Sequence, residues 1–205
     1  QALDKNLKNI FPHFKNFLDN NLKEKKFVIG VSGGPDSMAL AYLSKVYSID
    51  HNKNFECIII DHGVRKNSYE EAKKVKSSLL KHKIKSNIFK IKFDNSGNFH
   101  SEARVKRYDK IIEFCKRKKV KKILLGHHLD DQVENFYIRL RRGSGLTGLS
   151  PIKKVSKYKN IDFLRPFLNT KKNELVKIAK KNFSFFVNDP SNLKDKYLRY
   201  RVRKL

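Results

Sequence analysis

The chain has 205 residues, 39% of them hydrophobic, with 47 Lys and Arg against 20 Asp and Glu for a formal net charge of +27. That length buries one ordinary core, and the charge surplus attracts polyanions, nucleic acid before anionic membrane, although a lysine bias spread over solvated faces would give the same surplus. The two cysteines, Cys57 and Cys115, lie far apart in apolar stretches. They read as buried free thiols and exclude a disulfide framework or a zinc site. No apolar run reaches membrane-spanning length and no signal-peptide pattern opens the chain, so a cytoplasmic protein without a membrane partner is expected, or one of an organelle matrix if a transit peptide has been removed.

In chain order, residues 9–21 read as a short amphipathic helix with Pro12 in its first turn, where a missing N–H costs little. Residues 27–31 form a first strand. A helix follows over 37–47 with Met38, Leu40, Ala41 and Leu43 inward. Residues 55–60 form a second strand, apolar but for Glu56, and such a run suits a parallel strand covered on both faces. The 69–83 stretch reads as a charged helix with Val75, Leu79 and Leu80 as its buried stripe, and 87–93 as a third strand. Ser101 is placed as the N-cap of a helix through 118. Residues 123–126 make a fourth strand and 130–142 a helix ended by Gly143. Beyond Pro151 the alternation weakens, and from 153 to 204 there are 16 Lys and Arg against four acids. Helices are expected over 170–181 and from 195 to the end. The terminal Tyr197-Leu198-Arg199-Tyr200-Arg201-Val202-Arg203 suits RNA contact and equally an amphipathic helix with a basic face.

Alternating strand and helix predict an α/β fold built on a parallel sheet with right-handed crossovers. Ligands collect at the carboxyl ends of such strands, so residues 32–37, Asp61-His62 and 126–131 should meet in one crevice. Ser32-Gly33-Gly34-Pro35-Asp36-Ser37 follows the first strand directly. A strand, two glycines and a helix start aim unpaired N–H groups and a positive helix dipole at one point, which suits phosphate. No Gly-Lys-Ser/Thr follows, and no G-x-G-x-x-G is present, which excludes the Walker A and Rossmann loops. The segment resembles the PP-loop, S-G-G-x-D-S, of enzymes that split ATP between the α and β phosphates.

Asp131 and Glu134 stand three apart on the predicted fifth helix and share a face. Such a pair can hold Mg²⁺ beside a polyphosphate, can bind the ammonium of an amine substrate, or can simply offset the helix dipole. His127-His128 has no third ligand at metal spacing and suits a phosphate or base contact. Arg104 and Arg107 share another helical face and can clamp phosphate or stabilise charge on an attacked carbonyl oxygen.

Together these pieces resemble the tRNA(Ile)-lysidine synthetases. The resemblance is carried by the PP-loop, by Asp61-His62-Gly63-Val64-Arg65, and by Glu102-Ala103-Arg104 with Arg107-Tyr108. Further along come the His127 to Asn135 segment, Arg141-Arg142-Gly143-Ser144-Gly145-Leu146-Thr147-Gly148-Leu149 and Arg165-Pro166-Phe167. Asn188-Asp189-Pro190-Ser191-Asn192 with Tyr197 and Arg199 completes the series. They occur in the family's order across nearly the whole chain; Asn135 and Asn188 replace the frequent Thr and Glu.

The resemblance implies a Rossmann-like PP-loop domain of the adenine nucleotide alpha-hydrolase type over residues 1–150. Residues 151–205 are then a basic, mainly helical segment completing it, and the family's further C-terminal tRNA-binding domains are read as absent. It implies ATP as substrate, Mg²⁺ as cofactor, and tRNA(Ile) with a CAU anticodon and free L-lysine as partners, and it allows a homodimer. Ser32, Gly33, Gly34, Pro35, Asp36 and Ser37 are assigned to ATP, joined by Asp61, His62, Gly126 and His127. Asp36, Arg104, Asp131 and Glu134 are assigned to catalysis, with Asp36 and Asp131 as Mg²⁺ ligands.

Overall fold

The computed structural model describes residues 5–61, 67–91 and 99–187, with side chains from Leu7 onward except that of Leu146 and, in the fourth helix, those before Val105. The elements are α1 (Lys5–Asn21), β1 (Lys26–Val31), α2 (Pro35–Asp50), β2 (Asn54–Asp61), α3 (Ser68–Lys81), β3 (Ser86–Lys90), α4 (Phe99–Arg117), β4 (Lys122–Leu125), α5 (Leu129–Arg141), a 3-10 turn (Leu146–Leu149), β5 (Val155–Tyr158), β6 (Ile161–Leu164) and α6 (Lys172–Asn182).

The six strands form one sheet in the order β3-β2-β1-β4-β6-β5. All neighbours run parallel except the β5–β6 pair. The alternation of side chains along β1 divides the core. Phe27, Ile29 and Val31 face a layer made by α1, α2, α3 and α6, whereas Val28 faces α4 through Ile111, Ile112, Phe114 and Cys115. Cys57 and Cys115 are free and buried, as expected, one in each layer.

From β1 the chain builds outward through β2 to β3, then returns to place β4 on the other side of β1. The carboxyl ends of β1 and β4 therefore flank the point where strand order reverses, the usual place for a ligand crevice in such sheets.

Four local expectations are corrected. Pro12 lies inside α1 rather than in its first turn. The helix tolerates it because Pro12 is exposed, where the carbonyl it leaves unbonded can be hydrated, while Leu7, Ile10, Phe14 and Leu18 hold the inner stripe. Ser101 is not an N-cap, since α4 begins at Phe99. In α3 the buried residues are Ala72, Val75, Ser78 and Leu79, and Leu80 is 66% exposed. Last, the stretch after Pro151 contains the β5–β6 hairpin: β6 pairs with β4 and α6 packs in the same core as α2. The segments 188–192 and 195–205 lie outside the described residues.

The register of α3 is checked by equilibrium unfolding. Leu79→Ala should cost about 2–5 kcal/mol as a buried truncation, and Leu80→Ala should stay within about 0.5 kcal/mol.

Candidate active site at the ends of the first and fourth strands

The loop after β1 is braced from within. The Ser32 N–H donates to Ser37 Oγ at 3.2 Å, and the Ser37 hydroxyl donates to the Gly34 carbonyl at 2.9 Å. Gly34 is the N-cap of α2 and Pro35 fills its first position, where no N–H would find an intrahelical partner. Among the described residues, none of the N–H groups of Gly33, Gly34, Asp36 or Ser37 donates to another protein group. They belong to the loop and first turn, the arrangement that cradles an anion.

Gly33 is required twice over. Its φ is +87°, and a Cβ there would stand 2.9 Å from Cγ2 of both Val187 and Val75. The Val187 N–H donates to the Gly33 carbonyl at 2.8 Å, so the chain beyond α6 closes on the loop.

The segment after β4 meets this loop from the other side. A Cβ on Gly126 would lie 3.2 Å from the Asp36 carbonyl carbon and oxygen and from the Ser37 nitrogen. His128 then enters between carboxylates, with Nε2 3.5 Å from Asp36 Oδ2 and 3.6 Å from Asp131 Oδ2. Its ring is almost wholly buried, and Nδ1 has no hydrogen-bond partner among the described residues. Burial opposes the imidazolium, but the contact with Asp36 and the charges of Asp131, Asp36 and Asp130 outweigh it and raise the His128 pKa above its ordinary value.

Asp131 also caps its own helix: its Oδ2 accepts the His128 N–H at 3.0 Å. Glu134 is the buried residue of α5, one turn further on. The start of α5 is held by the loop between β6 and α6, since the Leu129 N–H donates to the Thr170 carbonyl at 3.0 Å and the Lys172 N–H to Asp130 Oδ1 at 3.3 Å.

The expected convergence of 32–37 with 126–131 is therefore present. Asp61 is buried at the carboxyl end of β2, beside the end of β1 on the same rim. His62 lies outside the described residues, as does the side chain of Arg104, whose backbone belongs to α4. His128 was expected at a phosphate or base; its Nε2 instead faces two carboxylates. The sequence holds no sign of which ring of the His-His pair turns inward. Nor does it signal that Val75 and Val187 close on Gly33.

The donor set fits Mg²⁺. Asp36 Oδ1 is buried without a hydrogen-bond partner among the described residues, and a carboxylate oxygen of that kind suits a hard cation. Among the described residues no three His, Cys, Asp or Glu side chains form a complete metal cage. An ion that keeps waters and phosphate oxygens as ligands does not need one.

Residues 6–205 match the PP-loop domain family. The chain belongs to that family. It is 38% identical over 197 residues to the tRNA(Ile)-lysidine synthase of Rickettsia typhi, covering 95% of this chain and 45% of that protein. With the tRNA(Ile)-lysidine synthase of Orientia tsutsugamushi it shares 37% over 194 residues, 94% of this chain and 43% of the relative. The chain thus spans less than half the length of these curated relatives.

Among solved structures, it superposes on a U34-tRNA thiolase from Methanococcus maripaludis that carries a [4Fe-4S] cluster, with a TM-score of 0.81 at 20% identity, over 97% of this chain and 71% of the other. An NMN synthetase from Francisella tularensis follows with a TM-score of 0.59 at 14% identity, over 87% and 71%. Likeness at such identities speaks for the PP-loop fold alone. Among the described residues no helix is long and apolar enough to cross a membrane.

The buried histidine makes stability depend on pH. Because its folded pKa is raised, the contribution of the imidazolium is complete below the ordinary value of 6.5 and is lost as pH rises through the folded value. Denaturant midpoints of the nucleotide-free protein should fall from about pH 6 to about pH 9, and His128→Gln should lack that share of the fall. A pH-independent difference between the two proteins would mean a ring that stays neutral.

Proposed function

We propose that this chain joins free L-lysine to C2 of the wobble cytidine in the CAU anticodon of tRNA(Ile), using ATP, in the cytoplasm. The observation that carries the reading is 38% identity to a named tRNA(Ile)-lysidine synthase across 95% of this chain, laid over a PP-loop with unused backbone donors. In the proposed reaction the C2 oxygen of cytosine attacks the α-phosphate of ATP and pyrophosphate leaves. The ε-amine of lysine then attacks C2, the C2–O bond breaks, and AMP departs with that oxygen.

An amide-like oxygen leaves poorly until it is adenylylated, so the site needs a pyrophosphate cradle and electrophilic clamps more than a covalent nucleophile. The free N–H groups of Gly33, Gly34, Asp36 and Ser37 serve as the cradle, with Ser32, Pro35, Asp61, His62, Gly126 and His127 around the nucleotide. Asp36 and Asp131 are the proposed Mg²⁺ ligands, and that ion would neutralise phosphate charge. Asp131 and Glu134 hold the lysine ammonium, and Arg104 stabilises the activated oxygen. The amine must shed a proton before attack, since lysine in water has a pKa near ~10.4. Residues 151–205 complete the catalytic domain, a reading supported by the pairing of β6 with β4. A homodimer remains compatible with it.

The nearest rival that the sequence leaves open, a PP-loop tRNA thiolase, is less well supported, although a U34-tRNA thiolase shares the fold. Cys57 and Cys115 lie in different core layers, and burial pushes both thiols up, Cys115 to about 12. Neither is a ready nucleophile or cluster ligand.

The test is transfer of radiolabelled lysine to an unmodified tRNA(Ile) transcript with a CAU anticodon, against a methionine tRNA as control. ATP-dependent label on the first is the expected result. Asp36→Ala should lower turnover by about 10²-fold or more while leaving RNA affinity within about twofold. RNA-dependent release of AMP without lysine transfer would point to another PP-loop modification, and no cleavage of ATP would reduce the chain to an RNA-binding module.

A further inference from the structure

Helix α5 is held differently from the other helices. Among the described residues, α1, α2, α3 and α6 supply side chains to one core layer and α4 to the other, but α5 supplies none to either. Its buried residue is the acid Glu134, whereas Val133, Phe136, Tyr137 and Leu140 are 46, 44, 43 and 50% exposed. The apolar seam that ordinarily fixes the roll of a helix about its axis is therefore missing. A buried carboxylate does not replace it, since desolvation opposes its seating.

Polar bonds along one flank take the place of that seam. Gln132 and Arg139 are seven residues apart, two turns along the same flank, while Asp131 and Glu134 share another. The Gln132 amide donates to the Ile152 carbonyl at 2.9 Å and accepts the Ile152 N–H at 2.7 Å. Two bonds to the backbone of one residue set an orientation as well as a distance. The Arg139 guanidinium donates from Nη1 to the Gly148 carbonyl at 2.7 Å and to the Ser150 carbonyl at 3.0 Å. The bonds at Thr170 and Lys172 hold only the start of the helix. The flank bonds extend that hold over two further turns.

The gripped segment is itself tied to the sheet. Arg165, buried just beyond β6, donates from Nη1 to the Lys153 carbonyl at 3.0 Å and to Ser156 Oγ at 2.9 Å. Its backbone N–H donates to the Lys154 carbonyl at 2.8 Å. Since β6 pairs with β4, the flank of α5 is referred back to the strand whose end forms the candidate site.

We infer that Gln132 and Arg139 are positioning residues, which fix the roll of α5, and with it the places of Asp131 and Glu134, through the segment that Arg165 anchors to β6. The inference rests on the reading that these acids hold the lysine ammonium, and it adds what aims them. A misplacement of about 1 Å can cost about 10²-fold in rate, so the clamp bears on lysine. The ATP cradle stands on α2 and does not depend on it.

The test reads the helix before the reaction. In the nucleotide-free full chain, Ile49→Cys on α2 and Tyr137→Cys on α5 carry nitroxide labels; Cys57 and Cys115 are buried and stay unlabelled. The spin–spin distance should be narrowly distributed. Adding Gln132→Met and Arg139→Gln, which remove the flank bonds, should broaden or shift it, and Arg139→Lys in place of Arg139→Gln should recover part of the change. The ring-nitrogen resonances of His128, whose Nε2 lies 3.6 Å from Asp131 Oδ2, should move at constant pH in the Gln132→Met/Arg139→Gln variant. In kinetics, that variant should raise the KM for lysine about tenfold or more and leave the KM for ATP within about twofold. Partial unfolding would lower the amount of active enzyme and so kcat, but it would move neither KM.

An unchanged distance distribution in a folded Gln132→Met/Arg139→Gln variant would overturn the inference, and a variant that fails to fold is replaced by Gln132→Met alone, read in the same way. A loss of turnover with the KM for lysine unmoved would also overturn it, because the two residues would then be merely structural. If the wild-type chain transfers no lysine, the proposed reaction fails. The spin distance and the His128 resonances then decide the clamp by themselves, since neither reads the reaction.

Discussion

The approach of Gly126 to the Asp36–Ser37 peptide, where a Cβ would stand 3.2 Å from three backbone atoms, joins the two halves of the sheet at their carboxyl ends. With no side chain at 126, the segment after β4 can lie against the first turn of α2. His128 follows two residues later and enters between Asp36 and Asp131. The PP-loop, the start of α5 and the loop before α6 are thereby tied into one unit. The ties to Asp36, Ser37 and Thr170 are short in space and long in sequence, so the site depends on the sheet order that sets β1 beside β4.

Charge is arranged differently at the centre and at the rim. Around His128 the neighbours are carboxylates, which raise its pKa in spite of burial. Free backbone donors surround Gly33 and Gly34, and arginines stand at the far end of α5. Under the proposed reaction the carboxylates would meet an ammonium or a hard cation and the backbone donors a phosphate.

Much of this was legible in the residues. The strands β1, β2 and β4 carry apolar runs, broken in β2 by Glu56 alone, and Gly-Gly after the first could hardly be other than a turn into a helix. The hairpin over 155–164 is not legible in the sequence because β5 is an exposed edge strand that holds Lys157 and is flanked by Lys153, Lys154 and Lys159, so it carries no apolar signature. Leu79 and Leu80 are equivalent to a periodicity argument within one step of 100°, and only packing against β2 and β3 separates them. The outward stripe of α5 shows the same limit. Period states that one face of a helix is apolar, not which way it turns. His128 was visible as a residue but not as a bridge, since its partners come from a loop some 90 positions earlier and from its own helix.

The central claim is that this site turns the cytidine oxygen into a leaving group by attaching AMP to it. It can be tested most directly with tRNA(Ile) transcript labelled with ¹⁸O at C2 of the wobble cytidine, followed by mass spectrometry of the released AMP. The account predicts ¹⁸O in the phosphate of AMP, formed in step with lysine incorporation. AMP that carries only unlabelled oxygen while lysine is incorporated would contradict it, because the oxygen would then leave without ever having been bound to the α-phosphate.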